Sequence, residues 1–151
     1  MKKRILLAVI AGLLVAICLW LPLRRAAAAR EELDVVVNNS NSVSTLSVED
    51  ARKIFMGDKT VWPGGKHITV LMLASGQAER AVVLRELYQM TEADYAKYFL
   101  QAAFTGKVQE PPRDLSSVVQ MKQAVSANPK AIGYLMKDDV GDSVKVVLKL
   151  P

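Results

Sequence analysis

The chain reads as an α/β protein, a sheet covered by helices, and three observations predict it. Short apolar runs of strand length (33–37, 68–73 and 131–136) alternate with stretches whose apolar residues recur at helical spacing. The connections between the runs are long enough to cross over a sheet. Capping hydroxyls, glycines and prolines stand where those elements need to begin and end.

Taken in order, residues 33–37 are a β-branched run suited to a buried strand. The polar run 38–44 is a short loop. Ser47 can cap a helix, with Asp50 in its first turn where negative charge favours the helix dipole. Val48, Ala51 and Ile54-Phe55 give that helix its apolar face, and Gly57 supplies a left-handed stop. Pro63-Gly64-Gly65 turns the chain into 68–73, a run that looks like a central strand.

A second helix is expected over 75–88, with Val83, Leu87 and Met90 at helical spacing. Thr91 caps a third, with Tyr95, Phe99 and Ala102 inward and Gly106 ending it. Pro111-Pro112 forces an extended connection. A fourth helix carries Val118, Met121 and Val125 and stops before Asn128-Pro129. Residues 131–136 form a strand and 138–143 a polar turn. In 144–150, Val144, Val146, Leu148 and Leu150 alternate with Lys145, Val147 and Lys149, and the lysines suit a strand near a sheet edge.

Charge and targeting divide the chain. Of 20 basic and 15 acidic residues, five basic and no acidic ones fall within 1–29, so 30–151 is balanced at 15 of each. The folded body therefore has no basic excess for nucleic acid, and that function class is set aside. Residues 1–29 have the order of an export signal: Lys2-Lys3-Arg4, an apolar stretch over 5–23, then four alanines at 26–29. The stretch is also long enough to span a bilayer, and Arg24-Arg25 follows it directly, so an uncleaved anchor stays open beside a cleaved signal peptide. On either reading the membrane is met only through this segment, and residues 30–151 form one domain that is periplasmic or otherwise exported. The single cysteine, Cys18, lies inside the stretch, so no internal disulfide can form. Ile17 is too bulky for the position before a lipidated cysteine.

Four signatures recur in order: Leu46-Ser47 leading to Ile54-Phe55-Met56-Gly57 and Trp62, then Ser75-Gly76, Phe104-Thr105-Gly106, and Ala131-Ile132-Gly133-Tyr134. Together, over 33–135, they resemble the phosphate-binding-protein-like (PBP-like) domain of ABC-transporter substrate-binding proteins. The resemblance implies a mixed sheet covered by helices, as in one lobe of a type 2 periplasmic binding protein. It also implies a non-enzymatic role in transport and a small oxyanion such as phosphate as ligand. In that family the Ser-Gly loop opens a helix and binds phosphate through its hydroxyl and backbone N–H groups.

Ser75 and Gly76 match that loop, and Gln77 stands where the family has threonine. Unpaired N–H groups and the positive end of the dipole make a helix N-terminus suited to an anion. Glu79 would repel an anion, which Arg80 beside it can offset, so the candidate site is Ser75, Gly76, Gln77 and Arg80. The family's arginine on the preceding strand is Leu71 here, so the bidentate clamp is missing. The plainer alternative, that Ser75 only caps its helix, stays open.

No Cys/His cluster with metal spacing and no nucleophile elbow is present, and no cofactor is implied. His67 reads as an exposed turn residue, Trp62 as a core residue, and Asp138, Asp139 and Asp142 as a solvated turn. Two functions follow. One is an exported substrate-binding-like protein that takes a small oxyanion for transport. The other is an envelope interaction module that kept the fold and lost the ligand site. One lobe leaves a ligand half exposed, so binding would be weak or would need a homodimer or an envelope protein partner.

Overall fold

The computed structural model describes residues 32–151. The export-signal or anchor expectation for residues 1–29 lies outside the described residues. Along the chain run β1 (Leu33–Asn38), α1 (Val48–Phe55), β2 (Thr69–Leu73), α2 (Ala78–Val83), a π-helical turn (Leu84–Tyr88), α3 (Glu92–Phe104), β3 (Arg113–Leu115), α4 (Val118–Ala127), β4 (Ala131–Met136), a 3-10 turn (Lys137–Asp139) and β5 (Val144–Leu150). The five strands make one mixed sheet in the order β3-β2-β4-β1-β5. β1 is antiparallel to β4 and β5, whereas β2 is parallel to β3 and β4. The α/β expectation holds, and its three apolar runs all lie in this sheet.

Both faces of the sheet are covered. Gly133 on β4 points at Met121 and Val125 of α4, close enough that a Cβ there would strike the Met121 sulfur. Its neighbour Tyr134 therefore points to the other face, where its ring lies 6.4 Å from Phe55 of α1. All six residues of β1 are buried, as strands on both edges and helices on both faces require. Its Asn38 amide is satisfied by donating to the Val125 and Ser126 carbonyls at the end of α4. An aromatic cluster of Phe55, Tyr88, Tyr95 and Phe99 fills the space between α1, the π turn and α3, with the Tyr88–Tyr95 centroids 5.1 Å apart.

Five local expectations need correction. The second helix begins at Ala78 and not at Ser75, because Gly76 sits at φ +91°, outside helical geometry. That helix also widens into the π turn, which ends on Gln89 at φ 56°. The extended connection after Pro111-Pro112 is a short strand, β3, paired to β2. Finally, the β5 alternation breaks: Val144, Val147 and Leu150 are buried, and Val146 and Leu148 are only partly so. A bulge opposite Val35 and Val36 inserts Val147 and moves the buried face by one residue. β5 is nevertheless an edge strand, with Lys149 exposed and the Lys145 ammonium donating to the Asn41 carbonyl. Val48, expected on the inner face of α1, is 43% exposed.

Candidate functional site

The Ser75-Gly76-Gln77 loop leaves the C-terminal end of β2. The Ala74 N–H donates to the Leu115 carbonyl (2.8 Å), and the Gln77 N–H donates back to the Ala74 carbonyl (3.3 Å), closing a turn around Gly76. Ser75 and Gly76 are exposed. The residue in the cap position of α2 is Gln77, and its side chain makes no cap hydrogen bond. Its amide instead reaches the Ser116 carbonyl at 3.3 Å. Ser75 is thus not the helix cap. With six residues, α2 has little macrodipole to offer.

Arg80 is built into the protein. It is 4% exposed, and its guanidinium is shared among three elements. Its Nε and Nη2 donate to the Glu92 carboxylate at the start of α3 (2.7–3.0 Å). Its Nη1 donates to Asp114 on β3 (3.0 Å) and to the Leu73 carbonyl at the end of β2 (2.6 Å). The Tyr95 ring lies beneath it, 4.8 Å from centroid to Cζ. Desolvation alone would weaken the protonated form, but Glu92 and Asp114 outweigh it and hold Arg80 more firmly charged than an ordinary arginine.

Burial acts the other way on the neighbouring phenols. It pushes Tyr95 up to about 12 and raises Tyr88 and Tyr134 well above the ordinary tyrosine range. The Tyr134 hydroxyl accepts from the Leu73 N–H (2.8 Å) where β2 and β4 no longer pair. Leu73 therefore has both backbone groups satisfied by side chains, its N–H by Tyr134 and its carbonyl by Arg80.

A cleft of about 360 Å³ lies beside the loop, lined by Gly76, Gln77, Arg80, Arg85, Thr91 and Glu92 among others. A second of about 500 Å³ lies where the Gly57 and Gly106 loops meet. There Lys107 pairs with Asp58 (3.1 Å), and Ile54, Ile68 and Val108 help line the cavity. His67 is exposed, on a bridge to Val61, and also lines this second cavity. Trp62 is 4% exposed, with its indole N–H donating to the Lys130 carbonyl (3.0 Å). Leu71, where the resemblance expects an arginine, is 2% exposed on β2, in register with Arg113 on β3. Among the described residues no group of acidic, histidine or cysteine side chains could hold a metal ion.

The loop therefore brings Ser75, Gly76 and Gln77 together, while Arg80 faces its own carboxylates. Glu92 and Asp114 were missed from the sequence, where Glu92 reads as an ordinary first-turn acid, and Tyr95 was read only as an inward residue of the third helix. The signal available was a lone arginine two residues into a helix face that is otherwise apolar. Nothing in the sequence names its partners, which lie 12 and 34 residues away.

The mixed sheet, its flanking helices and the loop after β2 have the fold of a PBP-like domain, as in one lobe of a substrate-binding protein. Solved structures carry the same fold. An ABC-type phosphate transport receptor from Vibrio cholerae superposes with a TM-score of 0.61 at 22% identity, over 76% of this chain and 44% of its own. A putative phosphate ABC transporter substrate-binding protein from Clostridium perfringens, with bound phosphate, gives 0.61 at 21% identity, over 76% and 43%. PstS from Borrelia burgdorferi gives 0.58 at 14%, over 76% and 46%. The chain spans less than half the length of these proteins. No protein-family model matches the sequence. Among the described residues no helix is long and apolar enough to cross a membrane.

Proposed function

We propose that the chain is a non-enzymatic, exported, substrate-binding-like module of the cell envelope that works through protein contacts and not by capturing free phosphate. The observation that carries this reading is Arg80. It is the one buried cation beside the Ser75-Gly76 loop among the described residues, and Glu92 and Asp114 already occupy it. A phosphate arriving at the loop would have to displace two intramolecular carboxylates held at hydrogen-bond distance. Leu71, buried on β2, adds no charge to the loop.

The second reading is weak oxyanion binding at Ser75, Gly76 and Gln77 in the service of transport. It is favoured by the exposed turn at the end of β2 and by the cleft that Gly76 and Gln77 line. Phosphate titration followed by the backbone amides of Ser75, Gly76, Gln77 and Ala78 separates the two. The protein-contact reading expects no saturable shift up to about 10 mM, where a millimolar site, worth ~4 kcal/mol, would be mostly filled. A saturating shift confined to those amides replaces it with the oxyanion reading.

A further inference from the structure

We propose that the cavity where the Gly57 and Gly106 loops meet is a separate ligand site, and that it takes a small neutral amide carried on an apolar body, such as a lactam. It lies at the N-terminal end of β2, opposite the end that leads into the Ser75 loop. The argument starts from where the β2 backbone groups point. Towards β4, the Thr69 N–H donates to the Lys130 carbonyl (3.0 Å) and the Leu73 N–H to the Tyr134 hydroxyl (2.8 Å). Even-numbered residues face the other edge, where the Ile68 N–H donates to the Thr60 carbonyl and the Ala74 N–H to the Leu115 carbonyl (both 2.8 Å). Strand alternation turns the Ile68 carbonyl and the Val70 N–H to that same edge. Among the described residues neither group has a hydrogen-bond partner.

Two prolines account for this gap. β3 pairs with β2 from Leu71 and Arg113 onward. Two residues back, the same register sets Pro111 opposite Thr69. In a parallel ladder the residue at that place donates to the Ile68 carbonyl and accepts from the Val70 N–H. Pro111 has no N–H to give, and pairing stops there. Thr60 closes the edge again on the other side, so the gap is too short for a strand and the right size for one amide. The cavity walls define what that amide is attached to. Buried Ile54 and Val108 and half-buried Ile68 and Val70 make one side apolar. The lysines are already paired, Lys107 with Asp58 (3.1 Å) and Lys59 with Asp50 (3.4 Å). Glu110 and His67 are exposed at the rim, and Glu110 opposes an anion. The volume of about 500 Å³ is that of a small-molecule site. A lactam meets both demands. Its ring covers the apolar wall, and its N–H and C=O lie side by side to serve the Ile68 carbonyl and the Val70 N–H, groups that proteins rarely leave unpaired.

Titration of the ¹⁵N-labelled full-length chain with ε-caprolactam tests this. The proposal expects a saturable shift of the Val70 amide with a Kd on the order of millimolar, and no shift at Ser75, Gly76 or Gln77. N-methylcaprolactam keeps the ring and loses the N–H. It should bind about tenfold more weakly, because the Ile68 carbonyl then stays unpaired. Thr60→Trp sets an indole into the cavity and should abolish the Val70 shift. The Thr60 side chain is exposed and only its backbone carbonyl is used by the fold, so amide shifts elsewhere should be kept. No saturable Val70 shift up to about 50 mM caprolactam overturns the proposal. So does equal binding of the two lactams, which would mark an apolar hollow that does not read an amide, or a shift that a folded Thr60→Trp protein retains. The phosphate titration reads the other end of β2 and judges the protein-contact reading independently.

Discussion

Arg80 is a positioning residue, tying β2, β3 and α3 together where the sheet gives way to the loop. Arg80→Met should lower stability by about 1–3 kcal/mol, read from the urea midpoint, because the Leu73 carbonyl loses its donor inside the protein. Glu92 and Asp114 are about half exposed, so they can return to water and the cost stays below that of a fully buried pair. Arg80→Lys should recover only part of the loss, since an ammonium cannot serve two carboxylates and a carbonyl in one plane. The surrounding tyrosines add a pH dependence. Folding raises the Tyr95, Tyr88 and Tyr134 values, so the folded state holds those protons more tightly than the unfolded chain. Their contribution is whole below pH 10 and declines above it, that of Tyr95 being lost as pH rises through about 12. Denaturant midpoints should therefore fall from about pH 10 upward, and Tyr95→Phe should make that fall shallower. A midpoint flat to pH 12 would contradict the burial of these phenols.

Among the elements, those with strong periodicity and clear caps were legible. Ser47 and Thr91 accept hydrogen bonds from the Asp50 and Asp94 N–H groups, as their spacing implies. β1, β2 and β4 could be read because a strand covered on both faces must be apolar throughout. Elements set by their neighbours could not be read. β3 is three residues long and exists only because β2 offers it a parallel edge. The bulge in β5 depends on the register with β1, which no alternation within 144–150 encodes. The shortened α2 follows from Gly76, where the sequence shows a glycine and the structure shows that its φ must be positive. Gly133 tests the packing between elements. Gly133→Ala should destabilise by ~1–3 kcal/mol through overpacking against Met121 and Val125. The companion change Met121→Ala should recover part of that loss by making room for the methyl group.

For the molecule as a whole, the central fact is the fold that it shares with these phosphate-transport proteins over less than half of their length. The order of the motifs made that fold legible from sequence. The state of the site was not legible, because Ser75-Gly76-Gln77 and Arg80 read identically whether the arginine faces a ligand or its own acids. Only the distances to Glu92 and Asp114 separate the two cases. The measurement that goes to this point is the Arg80 Nε–H resonance in a ¹⁵N NMR spectrum, followed as phosphate is added. The account predicts a resonance protected from solvent exchange and unmoved by phosphate, because Glu92 accepts that proton at an N···O distance of 3.0 Å. A resonance that exchanges rapidly, or that shifts saturably with phosphate, would show an arginine open to the ligand and would contradict the account.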